Sequence, residues 1–335
     1  MLRKTFIYLA PFQGITGVTF REVYTRHFCG VDKLFTPFFT NISNDSKLPP
    51  RKQKELGNPC ENSIEVVPQI LSKDAGEIIR FARFCRELGF SELNWNLGCP
   101  YPQVANKKRG SGMLPYPALI EQIMQQLGAE MPVRFSVKCR LGYFSPDEIA
   151  ELIPIFNHHT ISEVTIHARI GKQLYSGETD ILSFRNAASI LMTPVVYNGD
   201  IFSLDGFLQI QDQLPSIHTW MIGRGLLADP FLPSLIKGLS VPADQKSVVK
   251  KFISDLYYVY RRQLNDSLAV LGILKEYWQY LALSFSDPHK VFRCLKKVKS
   301  FDEYEDAVRL VFDEYEWIGS AGRLFGEDIN PQVGK

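Results

Sequence analysis

Residues 133–168 read VRFSVKCRLGYFSPDEIAELIPIFNHHTISEVTIHA, and this stretch decides the fold. Residues 133–141 form a largely apolar run of strand length. Residues 145–156 repeat their apolar positions at helical spacing, and residues 163–168 return to a strand. The same alternation extends in both directions. Strand-like runs occupy residues 6–12, 33–38, 65–71 and 92–97 before it, and 194–198 and 219–223 after it. Several lack polar alternation, as strands buried on both faces do. Helical patterns fill residues 74–88, 117–127 and 204–210. Strand and helix alternating eight times over roughly 240 residues predict a (β/α)₈ TIM barrel. A doubly wound open sheet fits less well, because G-x-G-x-x-G does not follow the first strand. Residues 40–62 are polar, hold Pro49-Pro50 and lack a helical period, which predicts a long loop after the second strand.

Beyond residue 240 the pattern is helix only, over residues 246–265, 270–285 and 302–315. The predicted division is therefore an α/β barrel of residues 1–240 followed by a smaller, all-helical domain of residues 241–335. Charge is uneven in this tail. Residues 246–299 carry eleven Lys or Arg against four Asp or Glu, while residues 300–335 carry three against nine. Aromatics at Tyr257, Tyr258, Tyr260, Tyr277, Trp278 and Tyr280 interleave the basic part. Two readings follow: a helical bundle with a solvated face, or a basic face for a polyanion.

The whole chain has 335 residues, 45% of them apolar, with 38 basic against 36 acidic side chains, so any basic surface is local. Its six cysteines form no C-x-x-C pair and have no His at metal-ligand spacing. The expectation is no metal site, no disulfide framework and a reducing cytoplasmic setting. The apolar run at the start is broken by Pro11 and is too short for a signal-peptide core, and no membrane span follows.

On this fold the strand ends on the C-terminal side carry the chemistry. The first strand ends Ala10-Pro11-Phe12-Gln13-Gly14, where Pro and Gly allow a flat ligand to lie close to the backbone. The third ends at Gln69, an amide that needs partners at both ends: either a satisfied core residue or a match for the donors and acceptors on a flavin edge. The fourth ends Asn96-Leu97-Gly98-Cys99-Pro100 and sets a thiol on a constrained turn at the barrel mouth. Free cysteines are usually small buried hydrophobes, but those lie inside elements rather than just past a strand end. Lys107-Lys108-Arg109-Gly110-Ser111-Gly112 reads as a lid that meets phosphate or as an exposed loop. Lys138 interrupts the fifth strand, and a buried ammonium needs an anionic partner. His167 and Arg169 share one side of the sixth strand at period two. The seventh and eighth strands end Asn198-Gly199-Asp200 and Gly223-Arg224-Gly225, where barrels commonly hold phosphate. That pair implies a phosphorylated cofactor, with FMN the leading candidate.

These motifs, in order and one per strand end, resemble those of the tRNA-dihydrouridine synthases. The likeness rests on Asn96-Leu97-Gly98-Cys99-Pro100, Val104, Gly110-Ser111-Gly112, Val137-Lys138-Cys139-Arg140, His167-Ala168-Arg169, Asn198-Gly199-Asp200 and Gly223-Arg224-Gly225. The resemblance implies reduction of the C5–C6 bond of a D-loop uridine in tRNA, with FMN as cofactor and NADPH as reductant. It places Cys99 as the acid that protonates C5. Pro11, Phe12, Gln69, Lys138, His167, Asn198, Gly199, Asp200, Gly223 and Arg224 would then surround the flavin. Asn96, Lys107, Lys108, Arg109, Arg140 and Arg169 would meet the substrate. The family usually has Met where this chain has Phe12. The tail, with Lys275-Glu276-Tyr277-Trp278-Gln279-Tyr280, is most similar to the bacterial C-type branch, whereas the loop after Cys99 is closer in length to the B-type branch, so the target uridine stays open. No protein partner is implied. The alternative is an FMN-dependent barrel oxidoreductase acting on a small molecule, a free pyrimidine or an enone, which the basic tail and the lysines after Cys99 disfavour.

Overall fold

The computed structural model describes residues 4–44, 47–59, 64–264 and 266–320. Eight parallel strands close into a barrel in chain order: β1 (Phe6–Leu9), β2 (Lys33–Phe39), β3 (Glu65–Ile70), β4 (Glu92–Leu97), β5 (Arg134–Gly142), β6 (Val164–Ile170), β7 (Val195–Asn198) and β8 (Thr219–Ile222). The Phe6 N–H donates to the His218 carbonyl at 2.8 Å and joins the last strand to the first. The predicted barrel is therefore the observed one. The first strand stops at Leu9, and the chain then turns, with the Phe12 N–H donating to Thr16 Oγ1 at 2.8 Å.

The helices follow as α1 (Val18–His27), α2 (Pro50–Leu56), α3 (Ala75–Glu87), α4 (Pro102–Ala105), α5 (Pro117–Leu127), α6 (Ile149–His158), α7 (Ile181–Ile190), α8 (Leu204–Gln213), α9 (Arg224–Ala228), α10 (Leu232–Ile236), α11 (Gln245–Gln263), α12 (Ser267–Leu281), α13 (Pro288–Lys296) and α14 (Phe301–Glu314). Local chemistry sets their starts. Asp74 caps α3 by accepting from the Gly76 and Glu77 N–H groups, and Ile78, Phe81, Ala82 and Cys85 form the buried stripe. The loop expected over residues 40–62 instead contains α2, whose seven residues are too few to show a period and which Pro50 opens at its first turn. Asn62 and Cys60 lie outside the described residues; the five described cysteines are free. Helix α13 was not expected either.

The chain packs as two compact units. The first, Met1–Pro11, Asp32–Gly199 and Ile210–Met221, holds the barrel strands. Outward-facing residues such as Leu93, Trp95, Leu97, Val137, Cys139 and Leu141 are all 0% exposed. The second, Phe12–Val31, Asp200–Gln209 and Ile222–Lys335, is helical. Phe252 on α11 is its hub, with ring contacts to Phe20, Tyr24, Phe28 and Tyr277. The tail aromatics thus serve mainly as core: Tyr257, Tyr260, Tyr277 and Trp278 are buried and only Tyr258 is largely exposed. Among the described residues no helix is long and apolar enough to cross a membrane.

Candidate active site

The inner face of the barrel is polar, where such barrels usually carry branched aliphatics. At period two, β4 points Glu92, Asn94 and Asn96 inward, and β5 points Ser136, Lys138 and Arg140 inward. β6 does the same with Thr165, His167 and Arg169. The inward side chains of β4, with Ser136 of β5, Lys33 and Gln69, form one hydrogen-bonded ladder. Low in the barrel, Lys33 Nζ donates to Glu92 Oε2 at 3.1 Å and lies 3.8 Å from Glu163, which accepts from the Tyr8 hydroxyl at 2.9 Å. Ser136 Oγ donates to Glu92 Oε1 at 2.6 Å and accepts from Asn94 Nδ2 at 2.9 Å. Gln69 Nε2 donates to Asn94 Oδ1 at 2.8 Å, and Asn96 Nδ2 donates to Gln69 Oε1 at 2.7 Å. Asn96 Oδ1 then accepts from the Gly98 and Cys99 N–H groups at 3.0 and 2.8 Å. The ladder satisfies groups that would otherwise be costly to bury and ends by fixing the turn that bears Cys99.

Cys99 is 8% exposed. Its carbonyl accepts from the Ser111 N–H at 3.0 Å and from Ser111 Oγ at 3.1 Å. Gly110 sits at φ 55°, and a Cβ there would come within 2.6 Å of the Cys99 carbonyl, so only glycine fits. Residues 110–112 are therefore buried packing around the thiol rather than a lid. Lys107 and Lys108 are exposed, and Lys108 lies 4.1 Å over the Tyr116 ring. Burial pushes the Cys99 thiol up, opposed by the Tyr101 backbone and the charges of Arg140 and Lys138. The thiol is protonated at neutral pH.

Arg140, His167 and Asn198 lie side by side in register across β5, β6 and β7. Lys138 Nζ donates to the neutral Asn198 Oδ1 at 2.8 Å, and Asn198 Nδ2 donates to the Met221 carbonyl at 2.8 Å. Burial, then Arg140, push the Lys138 ammonium down to about 7. Arg140 is 1% exposed; its Nε donates to the Gly98 carbonyl at 3.0 Å and a terminal nitrogen donates to the Ile170 carbonyl at 2.9 Å. Burial lowers it to about 10, so it remains a cation at neutral pH. Arg169, also 1% exposed, donates to the Ser176 and Gly177 carbonyls and lies 3.3 Å from His167 Nε2. These two arginines thus hold the backbone after β4 and β6. Pro11 and Gly199 lie at the ends of the first unit's segments.

Within the second unit, Asp200 and Arg224 pair at 2.6 Å, and Arg224 lies 5.3 Å over the Phe202 ring. Gly223 caps α9. Phe12 meets Tyr280 edge to face at 5.7 Å.

Asn94, Ser136 and Tyr175 were not singled out from the sequence, and Ser111 entered only as a member of the Gly110-Ser111-Gly112 motif, without a role of its own. Tyr175 lies 5.3 Å from the Arg140 guanidinium and 6.1 Å from His167. The signal for the first two was available as polar residues recurring every second position in β4 and β5; Ser111 and Tyr175 join only through the fold.

The family model "Dihydrouridine synthase (Dus)" matches residues 8–314. The tRNA-dihydrouridine synthase B of Pasteurella multocida (strain Pm70) is 29% identical over 239 residues, 70% of each chain. The tRNA-dihydrouridine(16) synthase of Neisseria meningitidis serogroup B (strain ATCC BAA-335 / MC58) is 26% identical over 324 residues, 94% of this chain and 96% of the relative. Among solved structures, histamine dehydrogenase from Rhizobium sp. 4-9 superposes with a TM-score of 0.51 at 10% identity, covering 76% of this chain and 49% of that one, a likeness of fold.

Proposed function

The chain belongs to the dihydrouridine synthase family, and on that premise we propose that it reduces the C5–C6 double bond of a D-loop uridine in tRNA, with FMN as bound cofactor and NADPH as reductant. It is an oxidoreductase of the TIM-barrel class. The observation that carries the reading is Cys99: a thiol kept protonated by burial, on a turn fixed by Asn96, Ser111 and Arg140, beside two cations.

The donor set suits an anionic ring. Lys138 is a partly buried cation whose hydrogen-bond partner is a neutral amide, so its charge is left for a negative ligand. Lys138, with Gln69, His167, Asn198 and Gly199, would hold the flavin ring; Pro11 would lie against it. In the second unit, Phe12, Asp200, Gly223 and Arg224 keep the cofactor-binding role that the sequence motifs assign. A reduced flavin bound there would supply the hydride that the reduction needs. Cys99 donates its proton to C5, so the two additions together give dihydrouracil. The thiolate left behind is stabilised by Arg140 and Lys138, the cations that oppose the burial effect, and regains its proton from water. The uridine must leave its stack to reach the barrel mouth, at about a few kcal/mol. Asn96 and Lys107, Lys108 and Arg109 are the proposed contacts to it, with Arg140 and Arg169 positioning the loops around it.

The tail supplies the longer-range contact. Residues 289–299 hold Lys290, Arg293, Lys296, Lys297 and Lys299, all exposed, with no acidic residue among them. Such a run suits a phosphate backbone, so residues 241–335 are the proposed tRNA-binding domain. A tRNA substrate also fits a cytoplasmic setting. The test is Cys99→Ala: the purified variant keeps the visible absorption of bound flavin but loses dihydrouridine formation by at least about a hundredfold. Full tRNA reduction by that variant would remove Cys99 from the chemistry, and a colourless wild-type protein that takes up no FMN would end the reading.

A further inference from the structure

The turn after β5 is built with unusual rigidity around an exposed ring. Phe144 is 61% exposed, the most exposed aromatic side chain among the described residues. Its backbone is pinned: Glu148 Oε2 accepts from the Tyr143 N–H at 2.8 Å, and Oε1 accepts from the Phe144 and Ser145 N–H groups at 2.9 and 3.1 Å. Three donors on one carboxylate offset its charge locally. The neighbouring Tyr143 ring stands edge to face with Phe144, centroids 4.7 Å apart. Lys172, from the segment after β6, is tied to the same turn by its N–H, which donates to the Tyr143 carbonyl at 3.0 Å. Its ammonium lies 5.2 and 5.4 Å from the Tyr143 and Phe144 ring centres.

This cluster is linked to the Cys99 turn through Gly171 and Ser111. A Cβ on Gly171 would come within 2.2 Å of the Tyr143 ring and 2.8 Å of Ser111 Oγ, so the glycine lets ring and serine approach. Ser111 Oγ in turn donates to the Cys99 carbonyl at 3.1 Å. A fixed, exposed aromatic with a lysine at its side, linked through Tyr143, Gly171 and Ser111 to the Cys99 carbonyl, matches what single-stranded nucleic acid requires: a ring face for a base and a cation for its phosphate.

We propose that Phe144 is a stacking platform for an unstacked tRNA nucleotide flanking the target uridine, with Lys172 pairing with that nucleotide's phosphate. This rests on the tRNA-reducing reading above. It gives the barrel unit its own grip on the substrate, separate from the basic tail, and explains why a large apolar ring is held in water on a turn with so little freedom.

The test compares wild type with Phe144→Ala, Phe144→Trp and Lys172→Ala, using in vitro transcribed tRNA. Phe144→Ala is expected to raise KM for tRNA about tenfold with kcat changed less than twofold, since one base–aromatic stack acts on binding rather than chemistry. Phe144→Trp is expected to keep the wild-type KM, and its added fluorescence to be quenched by tRNA but not by free uridine. Lys172→Ala is expected to flatten the dependence of log affinity on log salt by a little under one. An unchanged KM for Phe144→Ala, or a Phe144→Trp emission that saturating tRNA leaves unmoved, overturns the platform while the tRNA-reducing reading stands. A wild-type protein that neither binds nor reduces tRNA removes both.

Discussion

Replacing Lys138 by Met is expected to stabilise the flavin-free protein while weakening flavin binding. Lys138 carries its charge in a partly buried site beside Arg140, with the neutral Asn198 amide as its hydrogen-bond partner, and its pKa falls from the ordinary 10.5 to about 7. Holding the ammonium charged below pH 7 therefore costs on the order of 3–5 kcal/mol. The unfolded chain keeps that proton up to about pH 10.5, whereas the folded chain releases it near 7. Unfolding thus takes up a proton between those values, and the stability of the wild type rises with pH across that window. Methionine removes the charge but leaves Asn198 Oδ1 without its donor, a loss of about 1–2 kcal/mol. The net gain at pH 6.5 is then roughly 1–4 kcal/mol. Urea unfolding of flavin-free wild type and Lys138→Met at pH 6.5, 8 and 10 measures it. The variant should lead at pH 6.5, and its lead should shrink or reverse by pH 10. A wild type that is the more stable protein at pH 6.5, or a gap independent of pH, would refute the assignment of Lys138 as a cation awaiting an anion.

Arg140→Met strips donors from the Gly98 and Ile170 carbonyls and is expected to destabilise the protein by about 3 kcal/mol, read from the urea midpoint. Because it also removes a cation from beside Cys99, alkylation of that thiol should shift to higher pH. Asn96→Leu leaves the Gly98 and Cys99 N–H groups and Gln69 Oε1 without their partner, so dihydrouridine formation should fall in kcat more than in KM, whereas Asn96→Asp, which still accepts from both N–H groups, should retain part of it. Reversing charge at Lys296 and Lys297 together should lower the salt slope of tRNA binding by about 1.5, and an unchanged slope would take residues 289–299 out of the interface.

Some of the site was legible in the order of residues because strand-end motifs are local. Gly98-Cys99-Pro100 is a constrained turn wherever it folds, and an ammonium within an apolar run, as at Lys138, demands a partner whatever the neighbours are. The alternation of strand and helix likewise predicts a barrel, since short connections between buried strands leave few ways to cover both faces. What misled was the reading of several strands as lacking polar alternation. Glu92, Asn94 and Asn96 alternate with Leu93, Trp95 and Leu97, and the polar members point into the barrel. The tail aromatics misled in the other direction, since helical spacing says that a ring lies on a face but not whether that face is covered.

Chain order alone determined the barrel, the strand ends and the residue types at each, because side-chain period and turn chemistry act over a few residues. Only the closed fold decided that Gln69, Asn94 and Asn96 support one another, that Arg140 reaches two loops, and that Phe144 and Lys172 stand together beside the Cys99 turn. Those pairings join residues far apart in sequence, and their distances are set by register between strands and by which groups lose water, quantities that no stretch of sequence contains by itself.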